Sequence, residues 1–190
     1  MKPTLLVILG LLSMLLPFSR GNVQHATPAL SPPSTYIKEV FHTSFKGQFR
    51  VLLYAEVNDR ESFAIGVESD GRISGFRRLF PDESEHGIET YPVKPLIPCD
   101  ISLQMAAQLE KVIVGALKEV RFPAEQDLQT GRGTVYIISS GRFFGQIYPW
   151  YEGSAKPALV VCELLVKIMA SEGQRGINIQ ALERALKLTQ

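Results

Sequence analysis

Three stretches decide the fold: Phe49-Arg-Val-Leu-Leu-Tyr-Ala-Glu-Val57, Ser62-Phe-Ala-Ile-Gly-Val-Glu68 and Arg72-Ile-Ser-Gly-Phe-Arg-Arg-Leu-Phe80. In the first, Phe49, Val51, Leu53, Ala55 and Val57 share one face, with Gln48, Arg50 and Glu56 on the other. In the second, Phe63, Ile65 and Val67 point one way. Alternation of this kind marks half-buried strands. Asp70-Gly71 between the second and third is a strong hairpin signal. Upstream, Phe41, Thr43 and Phe45 alternate with His42 and Ser44, and Lys46-Gly47 reads as a tight turn. These readings predict four sequential strands joined by short connections, an antiparallel meander.

Downstream, the apolar positions Ile101, Met105, Leu109, Val112, Ile113, Ala116, Leu117 and Val120 recur at helical spacing, with Asp100 or Ser102 as the cap. Phe122-Pro123 ends that helix. Gly133–Ser139 and Arg142–Trp150 form a second hairpin about Ser140-Gly141. A helix over Pro157–Ala170 follows, then a short one capped by Asn178 with the stripe Ile179, Leu182 and Leu186. The predicted order is ββββ-α-ββ-α-α. Strands in runs, not alternating with helices, argue an α+β domain with two or three helices packed on one face of an antiparallel sheet.

The chain opens with Lys2 and a run of apolar residues, Leu5–Pro17, too short to span a bilayer and matching the core of an export signal. Ser19-Arg20-Gly21 supplies small residues for cleavage after Gly21. Residues 1–21 are therefore read as a signal peptide, 22–35 as a flexible Pro/Ser/Thr-rich leader, and 36–190 as a single α+β domain. The reading places the mature chain outside the cytoplasm, periplasmic or extracellular, with no membrane span after cleavage. Removing Lys2 and Arg20 from the 20 basic residues leaves 18 against 19 acidic ones. A near-neutral chain lacks the electrostatic footprint of a nucleic-acid binder.

Two cysteines, Cys99 and Cys162, survive cleavage. In an oxidising compartment an even pair invites a disulfide, worth about 4 kcal/mol for a loop of this size. Two buried thiols acting as small hydrophobes is the other reading.

No constellation for chemistry emerges, and the chain reads as leaning away from an enzyme. Gly-x-Ser-x-Gly is absent and Ser139-Ser140 sits at a hairpin turn. His86 with Glu83 and Glu85, in the proline-punctuated stretch 81–99, is a weak metal candidate whose spacing matches no ligand frame. Glu56, Asp59 and Glu61 could pair for acid–base work but are typical of an exposed turn. Arg72, Arg77, Arg78, Arg132 and Arg142 line an anion surface only if they cluster in space. No cofactor is indicated.

The richest patch is Arg142-Phe-Phe-Gly-Gln-Ile-Tyr-Pro-Trp-Tyr151, with five aromatics and the single tryptophan. Phe143 and Ile147 share one face, and Phe144, Gln146, Tyr148 and Trp150 the other. The second face needs its own cover, a helix or a ligand. Arg142, Phe144, Tyr148, Trp150 and Tyr151 are therefore the candidate binding residues, being of the types enriched at binding hot spots. The function expected is that of an exported, non-enzymatic domain engaging a protein or envelope partner through this hairpin. Alternatives are a small secreted hydrolase with its site in 81–99, and a structural envelope protein.

Overall fold

The computed structural model describes residues 29–58, 60–80, 92–118, 134–149 and 156–189. The predicted signal and half of the predicted leader lie outside these residues, as does most of the 81–99 stretch.

The elements are helix α1 (Pro33–Phe41), strands β1 (Phe49–Val57), β2 (Glu61–Glu68), β3 (Arg72–Leu79) and β4 (Lys94–Asp100), helix α2 (Leu103–Lys118), strands β5 (Val135–Ser140) and β6 (Phe143–Ile147), and helices α3 (Lys156–Ala170) and α4 (Arg175–Lys187). The protein is α+β, with one six-stranded sheet ordered β4-β3-β2-β1-β5-β6 and every pairing antiparallel. The meander is real, but its members are displaced by one. The stretch from Phe41 to Phe45 is the end of α1 and a loop, and the fourth strand is Lys94–Asp100.

That strand was masked in the sequence by Pro95 and Pro98, which cannot donate to a ladder. β4 is the sheet's outermost strand beside β3, where one side needs no pairing and proline is tolerated. Cys99 accordingly lies on a strand. Ser102 does cap α2: its Oγ accepts the Met105 N–H at 3.1 Å. Asn178 caps nothing. The last helix begins earlier, at Arg175, and the Asn178 amide donates to the Lys167 carbonyl at 3.2 Å, tying α4 to α3.

The two sheet faces are covered differently. On the first, Val51, Leu53, Ala55, Phe63, Ile65, Val67, Ile73, Tyr136, Ile138 and Ile147 form the main core with the buried sides of α2, α3 and α4. On the second, Tyr54, Ala64 and Ile137 are covered by Ile37 and Phe41 of α1. The expectation of helices on one face alone is thus corrected by α1, and residues 33–35, assigned to a flexible leader, are its first turn. Pro33 starts the helix, where its missing N–H costs nothing, and Pro33, Ile37 and Phe41 are buried at four-residue spacing.

Gly71 holds the β2–β3 turn against the entry to α2. Its φ is +92°, its N–H reaches the Glu68 carbonyl at 3.1 Å, and its own carbonyl accepts the Ile101 N–H at 3.0 Å. A Cβ there would lie 2.4 Å from the Ile101 carbonyl oxygen. Gly71→Ala should therefore lower stability by about 1–3 kcal/mol from the backbone conformation alone, with the contact adding to it. Gly176→Ala, where a Cβ meets nothing within 4 Å, should be neutral or stabilising. Denaturant midpoints of the two variants check this, and equal midpoints would contradict it.

Candidate functional site

The β5–β6 hairpin is built by a two-residue loop, Gly141-Arg142, between the paired residues Ser140 and Phe143. Gly141 adopts φ +55°, and glycine at the first loop position suits the twist of a two-residue hairpin. The turn end of the hairpin is pinned to the rest of the fold. Ser140, 3 % exposed, donates to Glu110 Oε1 of α2 at 3.5 Å, and Arg50 of β1 pairs with Glu110 Oε2 at 2.8 Å. The Ser140 hydroxyl is thus engaged with a carboxylate that arginine neutralises, an arrangement that holds a helix to a sheet.

Alternation along β6 separates its side chains as expected. Phe143 and Ile147 pack into the main core. Phe144 and Gln146 stand opposite Ser139 and Ile137 on the second face. Phe144 remains 39 % exposed, and Arg142 is exposed with its guanidinium 5.3 Å above the Phe143 ring. Tyr148 is half-buried. Burial, with Tyr36 nearby, pushes its phenol above the ordinary tyrosine range. Trp150 and Tyr151 lie outside the described residues.

Part of the cover this face needs is therefore α1. Tyr36 stacks on Tyr54, with centroids 5.4 Å apart and an interplanar angle of 24°. Phe41 meets Tyr54 edge-on and also contacts Phe76, which continues into Phe45 and Phe49. The Phe49 ring lies over Gly66, where a Cβ would come within 2.6 Å of it. Beneath α1 runs a polar row. The Tyr54 hydroxyl donates to Glu56 Oε2 at 3.2 Å and lies 3.3 Å from Ser62 Oγ, which is fully buried. Burial is the main cause that raises the Tyr54 phenol to about 12. Tyr36 and Tyr54 join the aromatic surface next to the hairpin, and neither was singled out from the sequence. The available signal was the unbroken apolar run Val51–Ala55, which leaves no polar side for an exposed face.

Other groupings do not assemble. Arg77 pairs with Glu61 at 2.6 Å on the first face and lies over the Phe63 ring. Its neighbour Arg78 projects to the second face, donates to the Val40 carbonyl and lies over the Phe80 ring. Arg72 is exposed at the start of β3. These arginines form no common anion surface, and Arg132 lies outside the described residues. Glu56 and Glu61 are likewise divided, one held by Tyr54 and the other by Arg77, while Asp59 is outside. Among the described residues no three of His, Cys, Asp and Glu gather as metal ligands. His86, Glu83 and Glu85 lie outside them. An open depression of about 620 Å³ beside α1 is lined by Ser34, Thr35, Lys38, Glu39 and Ser44. No helix among the described residues is long and apolar enough to cross a membrane.

The predicted Cys99–Cys162 bridge is not formed, and both thiols are free. Cys162 is fully buried, its thiol pushed up by burial, and burial, with Cys162 nearby, likewise raises Tyr136 of β5. Cys99 sits on β4, where burial raises it against the opposing pull of Arg175. Cys99 lies on strand β4 and Cys162 within helix α3, and the two do not come close enough to bond. A bridge needs Cα atoms about 4.4–6.8 Å apart.

Two outcomes follow from this geometry. Iodoacetamide should modify Cys99 slowly in the folded protein and Cys162 only after unfolding; equal native labelling would contradict the burial. For Tyr54, the folded phenol titrates near 12 and the unfolded one near 10. Its contribution is whole below pH 10 and is lost as pH rises toward 12, because the unfolded chain ionises first. Tyr54→Phe should make that alkaline loss of stability shallower than in the parent, as measured by urea midpoints across the window. Comparison with protein-family models, with curated proteins and with solved structures finds no match to this chain.

Proposed function

We propose that the mature chain is an exported, non-enzymatic binding domain that engages a protein or cell-envelope partner through the outer end of the β5–β6 hairpin. The observation that carries this reading is Phe144, 39 % exposed on a strand whose alternate residues are anchored in the core, with the exposed Arg142 two residues away. An aromatic ring and a guanidinium on a rigid hairpin lose little entropy when a partner buries them, and such residues dominate binding energetics. The half-buried Tyr148 and the Tyr36 ring of α1 extend the surface inward. Export is supported by the apolar run Leu5–Pro17 and the small residues at Ser19 and Gly21.

Two measurements test the reading. A photo-crosslinking phenylalanine analogue at position 144, in protein exported by its native cell, should capture one dominant partner, and Arg142→Glu should reduce that capture at least tenfold. Capture no greater than from the exposed helix position Lys111 would remove the hairpin as the binding surface. The intact mass of the exported protein should match a chain starting at Asn22, whereas recovery with Met1 retained would remove the export argument.

A further inference from the structure

We propose that α1 is a hinged cover, opening as one unit from the second sheet face while the sheet and the α2–α3–α4 layer stay folded, and that the contact between Arg78 and the Val40 carbonyl is its clasp. This goes beyond the binding role and does not depend on it.

The helix has little stability of its own. It is nine residues long, well short of what an isolated helix needs, so it is helical because it is docked. Its first turn has no side-chain cap. It ends on His42, a non-glycine residue in the left-handed region at φ 52°, which adds a local cost. The segment that follows, up to β1, has no regular structure and contains Gly47 at φ +127°. A hinge needs a connection of this kind.

What holds α1 down is a side-chain stripe and the clasp. Ile37 and Phe41 are buried, Tyr36 stacks on Tyr54, and the Arg78 guanidinium donates to a carbonyl of the last turn. That donor complements both an unpaired helix carbonyl and the negative end of the helix dipole. The clasp is incomplete, since Arg78 Nε is buried with no partner among the described residues. Opening would therefore hydrate a group that docking leaves unsatisfied.

The face beneath is equipped to survive the helix's departure. Tyr54, Glu56 and Ser62 satisfy one another within β1 and β2 and need nothing from α1. β1 and β2 keep their pairing and their other face, where the far larger core lies. The cost of opening is then the rehydration of a few apolar side chains and the loss of one clasp, against loss of the whole core for global unfolding. Local openings of this kind are drawn from the elements with the fewest buried contacts. Because Tyr36 neighbours Tyr148, the uncovered surface of Tyr54, Ile137 and Phe76 would be continuous with the hairpin patch.

Native-state amide exchange on the full chain tests this. The amides of Ile37 to Phe41 should exchange together and at least tenfold faster than those of Leu53 and Ala64. Arg78→Met should speed α1 at least fivefold more and leave β1 and β2 within twofold. Tyr36→Ala, which keeps the clasp, should also speed α1 alone and serves if Arg78→Met fails to fold. One common rate for α1 and the sheet, moved equally by either variant, would overturn the cover. Unchanged α1 exchange in a folded Arg78→Met protein would overturn the clasp.

Discussion

The structure depends on β1 being buried on both faces. Val51, Leu53 and Ala55 anchor the main core, while Tyr54 and, less completely, Leu52 point to the opposite side. A strand with apolar residues on both faces cannot stand at the boundary of a two-layer domain with water beyond it. Something must cover each side, and the chain supplies α2, α3 and α4 for one and α1 with an aromatic cluster for the other. The position of β1 between β2 and β5 follows from the same constraint, since both of its faces and both of its edges are then occupied.

Much of the architecture was legible where a residue pattern had one physical cause. The alternation of β2, the Asp70-Gly71 turn, the Ser102 cap and the α2 stripe from Met105 to Leu117 each depend on neighbours in sequence, and each stands where expected. The errors have a different origin. Pro95 and Pro98 argue against a strand unless it lies at a sheet edge, and edge position is a property of the tertiary fold. Phe41 and Phe45 alternate like a strand, but Pro33, Ile37 and Phe41 also repeat like a helix; docking onto Tyr54 and Phe76 decides between them. The cysteines were paired on count and expected compartment, and neither carries a distance.

The candidate site was legible in part for the same reason. Alternation alone assigns Phe144 and Tyr148 to one face of β6. It cannot say that α1 lies nearby, because Tyr36 and Tyr148 are more than a hundred residues apart in sequence. The polar row Tyr54–Glu56–Ser62 was invisible for a related reason: it joins two strands across a register, and Glu56 and Ser62 read as turn-flanking polar residues until that register is known.

A single exposed phenylalanine is ordinary on a protein surface, so Phe144 by itself argues little. Its setting gives it weight. The hairpin's service to the fold is already complete through Phe143, Ile147 and the Ser140–Glu110–Arg50 link, none of which needs an aromatic ring on the opposite face. Meanwhile that opposite face, over the central strands, is covered by α1, whose tyrosine adjoins the hairpin's own. A fold seeking stability alone would place a polar residue at position 144 and complete the Arg78 clasp. A core-anchored hairpin beside the proposed hinged cover instead keeps aromatic surface close to water, and that arrangement is what the proposed recognition role needs.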